Sequence, residues 1–488
     1  MVMDIKEKLA KILGDTYVED NPRALEMYGR DHSLFSPGMP DFIVKPANAE
    51  EVQKIIQLAN EEKIPVIPVS SSIHFHGSTI PKMGGIIMDL RRMDKILNIN
   101  TEDRLVTIEP GVTWGKLQAE LTKIGQRCIM PLFPPSSSSV ITSLSEREVP
   151  TNPRFEYSEP MCSNEVIWGN GMRFRTGSAC VPGFPDKCDS RGGNPEGPGT
   201  NWYRFFQGAE GTMGVVTWSI VKFEYLPKID RVCFITFDRL ADVIEPIYKI
   251  QRRMIGNECF LINRMTGALL FAEKWPEDFN RLNKEFPPWV LMIILSGSPR
   301  FPEDKIAYEK EALDEIVAQI PRVKGISSNL PCCPGLEKKL PHLLRNPWPE
   351  GKTYWKHSLK GGCQDLFFIA KMERVPEFTE VVREVAGSYG YNVDEIGGYL
   401  QPIEQGRASH MEYQFFYSPN DPVEKEKIKA LYLEAAEKLF HRGAFFSRPY
   451  GLLSRMVFDQ ARGYTNTITK VKGVLDPNHI LCPGNLCF

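Results

Sequence analysis

The chain has 488 residues, of which 42% are hydrophobic and 25% charged, and a formal net charge of −2. This length exceeds what one compact core usually holds, so we expect two domains, and the composition is that of a soluble globular protein. The near-neutral charge gives no electrostatic basis for binding nucleic acid or an acidic membrane. No segment approaches the roughly 18 uncharged apolar residues of a membrane span, and the charged N-terminus lacks an apolar signal region. We therefore expect a cytoplasmic protein without a transmembrane segment.

The first 227 residues alternate short apolar strands with amphipathic helices. Asn48 is the predicted N-cap of a helix over 49–62, and Glu51 stands where a capping box needs its partner. A second helix over 114–124 precedes Gly125, which can end it. Predicted strands cover 42–44, 66–69, 86–89, 96–99 and 105–109, and the mixed pattern continues through 160–181 and 212–225.

From about residue 228, longer strands alternate with longer helices. This alternation predicts an antiparallel sheet with helices on one face, built twice. Two segments, 182–200 and 331–353, are expected to be surface loops. The predicted strands cover 232–237, 259–264, 289–296, 366–370, 393–397 and 410–417, and the predicted helices cover 240–254, 303–320, 376–389 and 422–441.

The eleven cysteines form no metal-binding pattern. No C-x-x-C occurs, and the adjacent Cys332 and Cys333 stand between Pro331 and Pro334. This pair can be a redox pair, a cluster ligand or part of an ordinary loop, and the loop is the most frequent case. Free thiols in a reducing compartment fit the pattern best.

Two glycine- and serine-rich loops indicate a bound dinucleotide. The run SSSIHFHGST at 70–79 follows an apolar strand directly, and GAEGTMGVVT at 208–217 runs into a β-branched strand. Small residues let backbone N–H groups approach an anionic ligand closely, and turned N–H groups form a concavity that favours phosphate. The spacing does not match G-x-G-x-x-G after a first strand, so a Rossmann site is not expected.

These loops, with the segment 88–115 and the tail LDPNHILCPGN at 475–485, resemble a known family. It is the family of flavin-binding oxidoreductases typified by vanillyl-alcohol oxidase and the flavoprotein of p-cresol methylhydroxylase. Glycolate and D-lactate dehydrogenase flavoproteins are similar at a greater distance. The resemblance implies an α+β fold with a two-subdomain FAD-binding domain over 1–227. A substrate-binding cap domain, with an antiparallel sheet covered by helices, would follow over 228–465, and residues 466–488 would return to the FAD domain.

By this resemblance the first loop would hold the FAD pyrophosphate, and the second would contact the adenine-ribose or ring end. The run PPSSSSV at 134–140, followed by Ser143 and Glu146, would line the isoalloxazine edge. Without the resemblance, these serine runs would be interpreted as a surface turn and a flexible linker. Asn485 stands where a lysine is common. The implied cofactor-binding residues are Val69, Ser70, Ser71, Ser72, Ile73, His74, Gly77, Ser78, Pro135, Ser136, Ser139, Val140, Ser143, Glu146, Gly211, Gly214, Val215, Val216, Arg448 and Asn485.

The resemblance also bears on how the cofactor is attached. Some relatives tether the flavin through a His or Tyr on a strand of the cap domain, and the matching position here is Asp365. A carboxylate forms neither of those bonds, so non-covalent FAD is expected. The metal-binding H-x-G-D-G-N-x-H run of the hydroxy-acid relatives is absent, so no metal is expected.

In the phenol-oxidising relatives, an arginine and two tyrosines hold a phenolate. Arg448 matches the arginine, whereas Ser447 and His76 stand at the two tyrosine positions, and Tyr450 can supply a nearby hydroxyl. Two of three phenolate ligands are thus replaced, which leaves a planar cationic fork suited to phenolate or carboxylate.

The strand that begins near His410 alternates so that His410 and Glu412 point to one face. Spacing alone favours a histidine that is simply hydrogen-bonded at the start of a strand. The resemblance favours a proton acceptor, because a near-neutral imidazole can take the hydroxyl proton of a substrate. The expected catalytic residues are Arg448, His410, Glu412, His76 and Tyr450.

The resemblance thus implies an FAD-dependent dehydrogenase or oxidase that oxidises a small alcohol or alkyl-aromatic (phenol-type) substrate by hydride transfer to flavin N5. A 2-hydroxy-acid dehydrogenase, similar to the glycolate and D-lactate enzymes, is one alternative. A flavoprotein subunit of a larger electron-transfer complex is another, and a flavin-binding scaffold without turnover is a third. The expected electron acceptor is a protein or a quinone, and the chain is expected to be a homo-oligomer or a subunit of a complex.

Overall fold

The computed structural model describes residues 2–154, 159–181, 194–297 and 299–488, with side chains from residue 5 onward. Most of the predicted loop at 182–200 lies outside these residues. Within the described part of the chain, no helix has both the length and the apolar composition needed to span a membrane.

In its described residues, the N-terminal part contains two principal sheets and five helices. Its strands are β1 (Val18–Glu19), β2 (Phe42–Val44), β3 (Val66–Val69), β4 (Ile86–Asp89), β5 (Ile96–Asn100), β6 (Leu105–Ile108), β7 (Gln126–Arg127), β8 (Met161–Ile167), β9 (Arg173–Arg175), β10 (Val215–Lys222) and β11 (Glu224–Tyr225). Its helices are α1 (Val2–Leu13), α2 (Pro22–Tyr28), α3 (Ala49–Glu62), α4 (Trp114–Lys123) and α5 (Val140–Ser145). One sheet has the order β1-β2-β4-β3, in which β4 runs parallel to both β2 and β3. The other sheet is antiparallel, in the order β5-β6-β10-β8-β9.

The predicted cap of α3 is confirmed. The Asn48 side chain accepts a hydrogen bond from the Glu51 amide over 2.9 Å. The Glu51 carboxylate reaches back to the Ala47 amide at 2.7 Å, one residue before the position that the capping box predicts. The helix buries its apolar face, Val52, Ile55, Ile56 and Ala59, in the same core as β3 and β4.

The second part is built around one six-stranded antiparallel sheet. Its strands are β12 (Asp230–Phe237), β13 (Glu258–Asn263), β14 (Trp289–Ser296), β15 (Gly362–Ala370), β16 (Gly397–Ile403) and β17 (Ala408–Tyr417), in the order β12-β14-β13-β16-β17-β15. The sheet has two halves of three strands, β12 to β14 and β15 to β17. In each half the third strand lies between the first and the second, and the two halves meet where β13 pairs with β16. The predicted repeat is therefore confirmed.

The helices of this part are α6 (Ile244–Arg252), α7 (Arg264–Phe271), α8 (Glu277–Glu285), α9 (Pro302–Ala318), α10 (Leu336–Leu344), α11 (Val375–Ser388) and α12 (Pro422–His441). The prediction that helices cover only one face is wrong. Helices α6, α9, α11 and α12 share a core with one face, whereas α7, α8 and α10 pack on the other face, against the first half of the sheet. Both faces of β13 are apolar, with Cys259 and Leu261 in one core and Phe260 and Ile262 in the other, so both need cover.

Three local predictions are also wrong. The predicted loop at 331–353 contains α10, which begins after Gly335 and includes Pro341. The predicted strand at 393–397 is a 3-10 turn, Val393–Glu395, which the Asn392 side chain caps. The predicted helix at 240–254 starts as a separate 3-10 turn, Leu240–Val243, before α6. At 393–397 the Asn392 side chain, which accepts a hydrogen bond from the Asp394 amide, gives the backbone a local alternative that the hydrophobic period does not show.

The C-terminal segment returns to the N-terminal part. It contains α13 (Leu452–Phe458) and α14 (Arg462–Leu475), and the tail after α14 lies beside β3. The Val66 amide donates to the Ile480 carbonyl over 2.7 Å, and the Cys482 amide donates to the Val66 carbonyl over 3.0 Å. The buried Lys472 and Asp476 form an ion pair at 2.6 Å beneath this strand-like contact. The tail thus extends the sheet that ends in the serine-rich loop.

Candidate active site

A cleft between the serine-rich loop and the 208–217 turn lies at the end of β3. Many residues with predicted cofactor roles line it, together with Thr142, Ser145 and Glu210. The predicted residues that line this cleft are Val69, Ser70, His74, Ser78, Glu146, Gly211, Gly214, Val215 and Val216.

Three glycines of the two loops stand where the surrounding protein leaves no room for a side chain. Gly77 and Gly211 both have φ +75, and a Cβ at Gly77 would lie 2.2 Å from Phe35 Cδ2. A Cβ at Gly211 would lie 2.8 Å from Cys482 Sγ, and one at Gly214 would lie 2.5 Å from Val166 Cγ1. Glycine is therefore needed at these positions for the loops to pack against their neighbours, and Gly211 and Gly214 lie in the wall of the cleft.

The serine hydroxyls are mainly bonded to other groups of the protein. The Ser70 and Thr142 hydroxyls share a short hydrogen bond, and the Ser139 amide donates to Ser71 Oγ over 2.8 Å. The Ser139 hydroxyl donates to the Pro110 carbonyl over 2.6 Å and accepts from the Thr142 amide, which caps α5. These contacts fix the loop against α5 and leave mainly backbone groups to face a cofactor.

Other predicted cofactor residues lie beside the cleft or behind it. Asn485 Nδ2 donates to the carbonyls of Ser78 and Glu210, at 2.8 and 3.1 Å, and so ties the two loops together. Lys82 Nζ donates to Asn485 Oδ1 over 2.6 Å and brings an ammonium group to this point. Ser72 is exposed and Ile73 is half-buried, and neither lines the cleft. The cofactor roles of Ser136, Val140 and Ser143 likewise remain predictions, with the Ser143 hydroxyl bonded to Glu148.

A second cavity lies where the uncovered face of β15, β16 and β17 meets the N-terminal part. Its lining combines aromatic and proline residues with charged ones. Of the predicted residues, it contains His76, Pro135, His410, Glu412 and Arg448. The remaining lining residues are Phe75, Pro131, Leu132, Pro134, Glu148, Val149, Tyr354, Trp355, Lys356, Asp365, Phe367 and Tyr399.

The three strands present alternate residues to this cavity. Phe367, Glu412 and Tyr399 lie side by side across β15, β17 and β16, because Glu412 pairs with both of the others. His410 is two residues before Glu412 and lies on the same face, as predicted, with Nε2 3.5 Å from a Glu412 carboxylate oxygen. The intervening residues, such as Met411, pack into the helix-covered core.

Arg448 projects into the cavity over an aromatic ring. Its Cζ lies 4.0 Å from the centroid of Phe367, and Nη1 makes a long 3.4 Å contact with the Glu146 carbonyl. Its Nε is buried without a hydrogen-bond partner. Among the described residues, Arg448 forms no ion pair. The cavity thus holds a guanidinium whose planar fork is free to bind an anion.

His76 and Tyr450 form a stack behind Arg448. Their ring centroids are 4.5 Å apart with an interplanar angle of 17°, and the Tyr450 hydroxyl donates a short hydrogen bond to the Glu146 carboxylate. Burial, and next the charge of Arg448, lower the pKa of His76 to about 3. His76 is therefore a neutral imidazole, which can both donate and accept a hydrogen bond.

Lys356 is the most highly paired charge of the cavity. Its Nζ lies 2.6 Å from both Asp365 and Glu412, and all three side chains are 10–13% exposed. Burial raises the pKa of Asp365 to about 6. Burial would also raise the pKa of Glu412, but the Lys356 ammonium and the His410 imidazole outweigh it and lower that pKa. Burial lowers the pKa of His410, so this ring is neutral beside an ionised Glu412.

Lys356 and the aromatic wall were not predicted from the sequence. Lys356 lies in a 3-10 turn, Trp355–His357, just after the segment interpreted as a surface loop. The run Tyr354-Trp355-Lys356-His357, which mixes aromatic and basic residues, is the signal that could have pointed to a site. Asp365 was predicted only to occupy the tethering position. No pattern in the neighbouring sequence predicted its ion pair with Lys356.

The cysteine pair lies away from both cavities. Cys332 and Cys333 are buried beside α10, with their sulfur atoms 4.0 Å apart. In the described part of the chain, no three His, Cys, Asp or Glu side chains are grouped so that they could hold a metal ion.

Comparison with known proteins supports the cofactor. Residues 40–142 match the sequence profile of an FAD binding domain, and this range includes the serine-rich loop, Pro135 and Ser139. The chain therefore carries an FAD-binding domain, and FAD is its cofactor. The buried Oε1 of Glu210, which lies in the wall of the cleft without a partner among the described residues, fits a bound cofactor.

Several curated proteins are similar to the chain. Glycolate oxidase subunit GlcD of Bacillus subtilis is 25% identical over 51% of this chain and 50% of its own length, so the match spans about half of that protein. The flavoprotein subunit of 4-cresol dehydrogenase (hydroxylating) of Pseudomonas putida is 32% identical over 30% of this chain and 28% of its own. D-lactate dehydrogenase of Anaerostipes hadrus is 23% identical over 93% and 91%.

Two solved structures share the fold over nearly the whole chain. Substrate-bound p-cresol methylhydroxylase superimposes with a TM-score of 0.84 and 20% identity, covering 100% of this chain and 96% of that one. The isoeugenol complex of 4-ethylphenol oxidase from Gulosibacter chungangensis gives 0.83 and 18%, covering 99% and 96%. The predicted resemblance and the predicted α+β fold of the p-cresol methylhydroxylase type are confirmed.

Proposed function

We propose that the chain is an FAD-dependent oxidoreductase that oxidises a small alcohol or alkyl-aromatic, phenol-type substrate. The observation that carries this proposal is Arg448, an unpaired guanidinium in an aromatic cavity that adjoins the FAD cleft. Glu146 belongs to the lining of the FAD cleft and is bonded to Arg448 and Tyr450 from the cavity side. Bound FAD would accept the hydride of the substrate at flavin N5.

Arg448 would bind the anionic end of the substrate. The Phe367 ring supports the guanidinium from one face, and His76 lies beside it as a neutral donor or acceptor. Because Lys356 is already paired with two carboxylates, Arg448 is the cation that a substrate anion can neutralise. The cavity therefore favours a substrate with a single negative charge or a group that can become anionic.

His410 would take the proton of the substrate hydroxyl. The ring would donate a hydrogen bond from Nε2–H to the Glu412 carboxylate, over 3.5 Å. Nδ1 would then be the basic nitrogen. An ionised Glu412 stabilises the imidazolium that forms, as a carboxylate does behind a histidine base. Tyr450 acts through its stack with His76, as a positioning residue.

Aromatic side chains favour a flat substrate. Phe75, Tyr354, Phe367 and Tyr399 line the cavity with Pro131 and Pro134 between them. Aromatic rings pack against such walls in offset or edge-to-face geometry and exclude water from the reacting carbon. This lining supports an alkyl-aromatic substrate over a small aliphatic one.

A 2-hydroxy acid is the second candidate substrate. The free Arg448 fork would bind a carboxylate through two parallel hydrogen bonds, and His76 and His410 are both neutral. The D-lactate dehydrogenase of Anaerostipes hadrus, which matches over most of its length, adds support.

FAD would be bound without a covalent bond. Asp365, the residue at the tethering position, is engaged by Lys356 at 2.6 Å. We also propose the domain limits predicted from the sequence. They are an FAD-binding domain over 1–227, a substrate-binding cap domain over 228–465 and a return to the FAD domain over 466–488. A flavoprotein subunit of a larger electron-transfer complex remains an alternative, since two relatives are named as subunits. A hetero-complex on size exclusion from the native source would support it.

The test is anaerobic reduction of the purified yellow protein. Benzylic alcohols, 4-alkylphenols and 2-hydroxy acids are added one at a time, and bleaching of the flavin absorbance is followed. Rapid bleaching by a phenol or benzylic alcohol is the expected result, and rapid bleaching by a hydroxy acid alone would favour the second candidate. Dithionite provides the control, because it bleaches any bound flavin. A protein that dithionite bleaches and no compound of the panel reduces would contradict the proposal.

A further inference from the structure

Glu210 has one carboxyl oxygen, Oε1, without a partner in the wall of the FAD cleft. The residue is 4% exposed, it lines the cleft, and its Oε1 has no hydrogen-bond partner. Its φ of +50 places it in the left-handed region, between Gly208 and Gly211, which also have positive φ. Asn485 holds its carbonyl at 3.1 Å. A strained and buried backbone therefore presents a carboxyl group to the cofactor site.

The groups around this carboxyl do not neutralise it as an anion. Glu210 forms no ion pair with the residues that the structure describes. Lys82 Nζ, the cation on this side, donates to the Gly484 carbonyl and to Asn485 Oδ1, at 2.8 and 2.6 Å. The other titratable groups that face Glu210 are Glu146, Tyr432, Tyr450 and the buried Cys482, and the Leu486 amide donates to its carboxyl group.

We propose that Glu210 is a neutral carboxylic acid in the holoenzyme and donates its proton in a hydrogen bond to an acceptor oxygen of FAD. FAD carries a negatively charged diphosphate, and an ionised carboxylate in the same cleft would be repelled by it and by Glu146. A protonated carboxyl has one O–H donor and removes that repulsion. The inference rests on FAD binding and is independent of which substrate the protein oxidises.

The electrostatics of the cleft agree with a neutral acid. Burial, and then the nearby Glu146 carboxylate, raise the pKa of Glu210 well above its usual range, and Lys82 offsets only part of this effect. If FAD binds the protonated form, its affinity is full at low pH. Above the pKa of Glu210 in the FAD-free protein, each pH unit weakens binding by up to about tenfold, until the pKa of the holoenzyme is passed.

The experiment measures the retention of FAD by the holoenzyme. Wild-type protein is diluted into buffers from about pH 6.5 to about pH 9.5, and released FAD is read from its fluorescence. We expect the dissociation constant to rise by roughly tenfold or more across this range, as the loss of one hydrogen bond to a charged partner implies. Glu210→Gln keeps an N–H donor but does not titrate, so its dissociation constant should rise much less. Glu146→Gln removes the other carboxyl group of the cleft, and the FAD dissociation constant of this variant should still rise with pH.

A second readout detects the proton directly. The infrared difference spectrum between wild-type and Glu210→Gln holoenzyme should contain the carbonyl band of a protonated carboxylic acid. A wild-type dissociation constant that does not change with pH, in a protein whose difference spectrum also lacks this band, would overturn the proposal. A pH dependence that is equally steep in Glu210→Gln, or a difference spectrum without the acid band, would also overturn it. Neither readout requires turnover, so a failed search for a substrate leaves the test intact.

Discussion

The guanidinium of Arg448 lies over the ring of Phe367, with Cζ 4.0 Å from the ring centroid. The ring replaces one side of the hydration shell of the cation and holds it without neutralising it. The charge therefore remains available to a ligand, although the residue is only 7% exposed. The proposal for the substrate depends on this relationship.

Arg448→Lys should lower the rate of flavin reduction. Lysine keeps the charge but loses the planar fork, and a lost charge-assisted hydrogen bond is worth about 1.5–3 kcal/mol. This corresponds to a decrease in kcat/KM of roughly 10- to 150-fold. Reductive half-reactions measured per bound FAD give the value, and Arg448→Ala should be slower still. The exposed Arg442→Lys is the matched control. A rate within about twofold of wild type, measured in the same way, would remove Arg448 from the active site.

Acid precipitation should release the FAD into the supernatant. The reason is that Asp365 stands at the tethering position and its carboxylate is held by Lys356 at 2.6 Å. Absorbance of the supernatant and fluorescence of a denaturing gel are the two measurements. Flavin fluorescence that stays with the protein band would show a covalent bond and contradict the prediction.

Gly77→Val should reduce both FAD content and stability. Gly77 has φ +75, and an added Cβ would lie 2.2 Å from Phe35, so a branched side chain would displace the loop. Overpacking of this kind typically destabilises by about 1–3 kcal/mol. FAD-to-protein ratio and thermal unfolding are measured together. As a control, Gly387→Ala lies on α11 with no atom within 4 Å of the new Cβ, and should be neutral or stabilising. A Gly77→Val protein with a full complement of FAD would show that the loop is misplaced.

Lys356→Met should destabilise the protein strongly near neutral pH. The substitution leaves Asp365 and Glu412 buried side by side without their shared cation. Removal of one partner from a buried charge cluster costs about 3–5 kcal/mol. Urea unfolding at about pH 7 measures the loss. The double variant Lys356→Met/Asp365→Asn, which removes one of the two negative charges, should recover part of it. No recovery in the double variant would mean that packing, not charge, explains the effect.

The free energy of unfolding should decrease at acidic pH because His76 is held neutral in the folded protein. Its pKa in the folded protein is lowered to about 3 from an ordinary value of 6.5, so the unfolded chain binds the additional proton between these pH values. The contribution to stability is therefore full above about pH 6.5 and is lost as pH falls, by up to ~1.4 kcal/mol per pH unit. His76→Gln should flatten the dependence of the free energy of unfolding on pH by this slope. Parallel curves for the two proteins would show that the ring is not held neutral.

Local features of the fold were predictable from the sequence, and long-range pairings were not. The Asn48 cap, the apolar face of α3 and the alternation of His410 with Met411 depend on residues a few positions apart. Lys356 pairs with Glu412, which is 56 positions away, and the sequence near either residue does not indicate this contact. The helices on the second face of the sheet were missed because a fully apolar strand such as β13 does not show how many faces are covered. Serine hydroxyls were assigned to the cofactor from resemblance, although those of Ser70 and Ser71 bond to other groups of the protein and fix the loop.

The alternation of β15, β16 and β17 separates two sets of side chains that can change independently. One set, which includes Asp365, Tyr399 and His410, faces the cavity, and the other, which includes Leu366, Leu400 and Met411, faces the helix-covered core. A substitution in the first set alters the polarity and shape presented to a substrate without opening a void in the second. Divergent members of such a fold can therefore exchange substrates over evolutionary time while the packing that keeps the sheet folded is inherited unchanged.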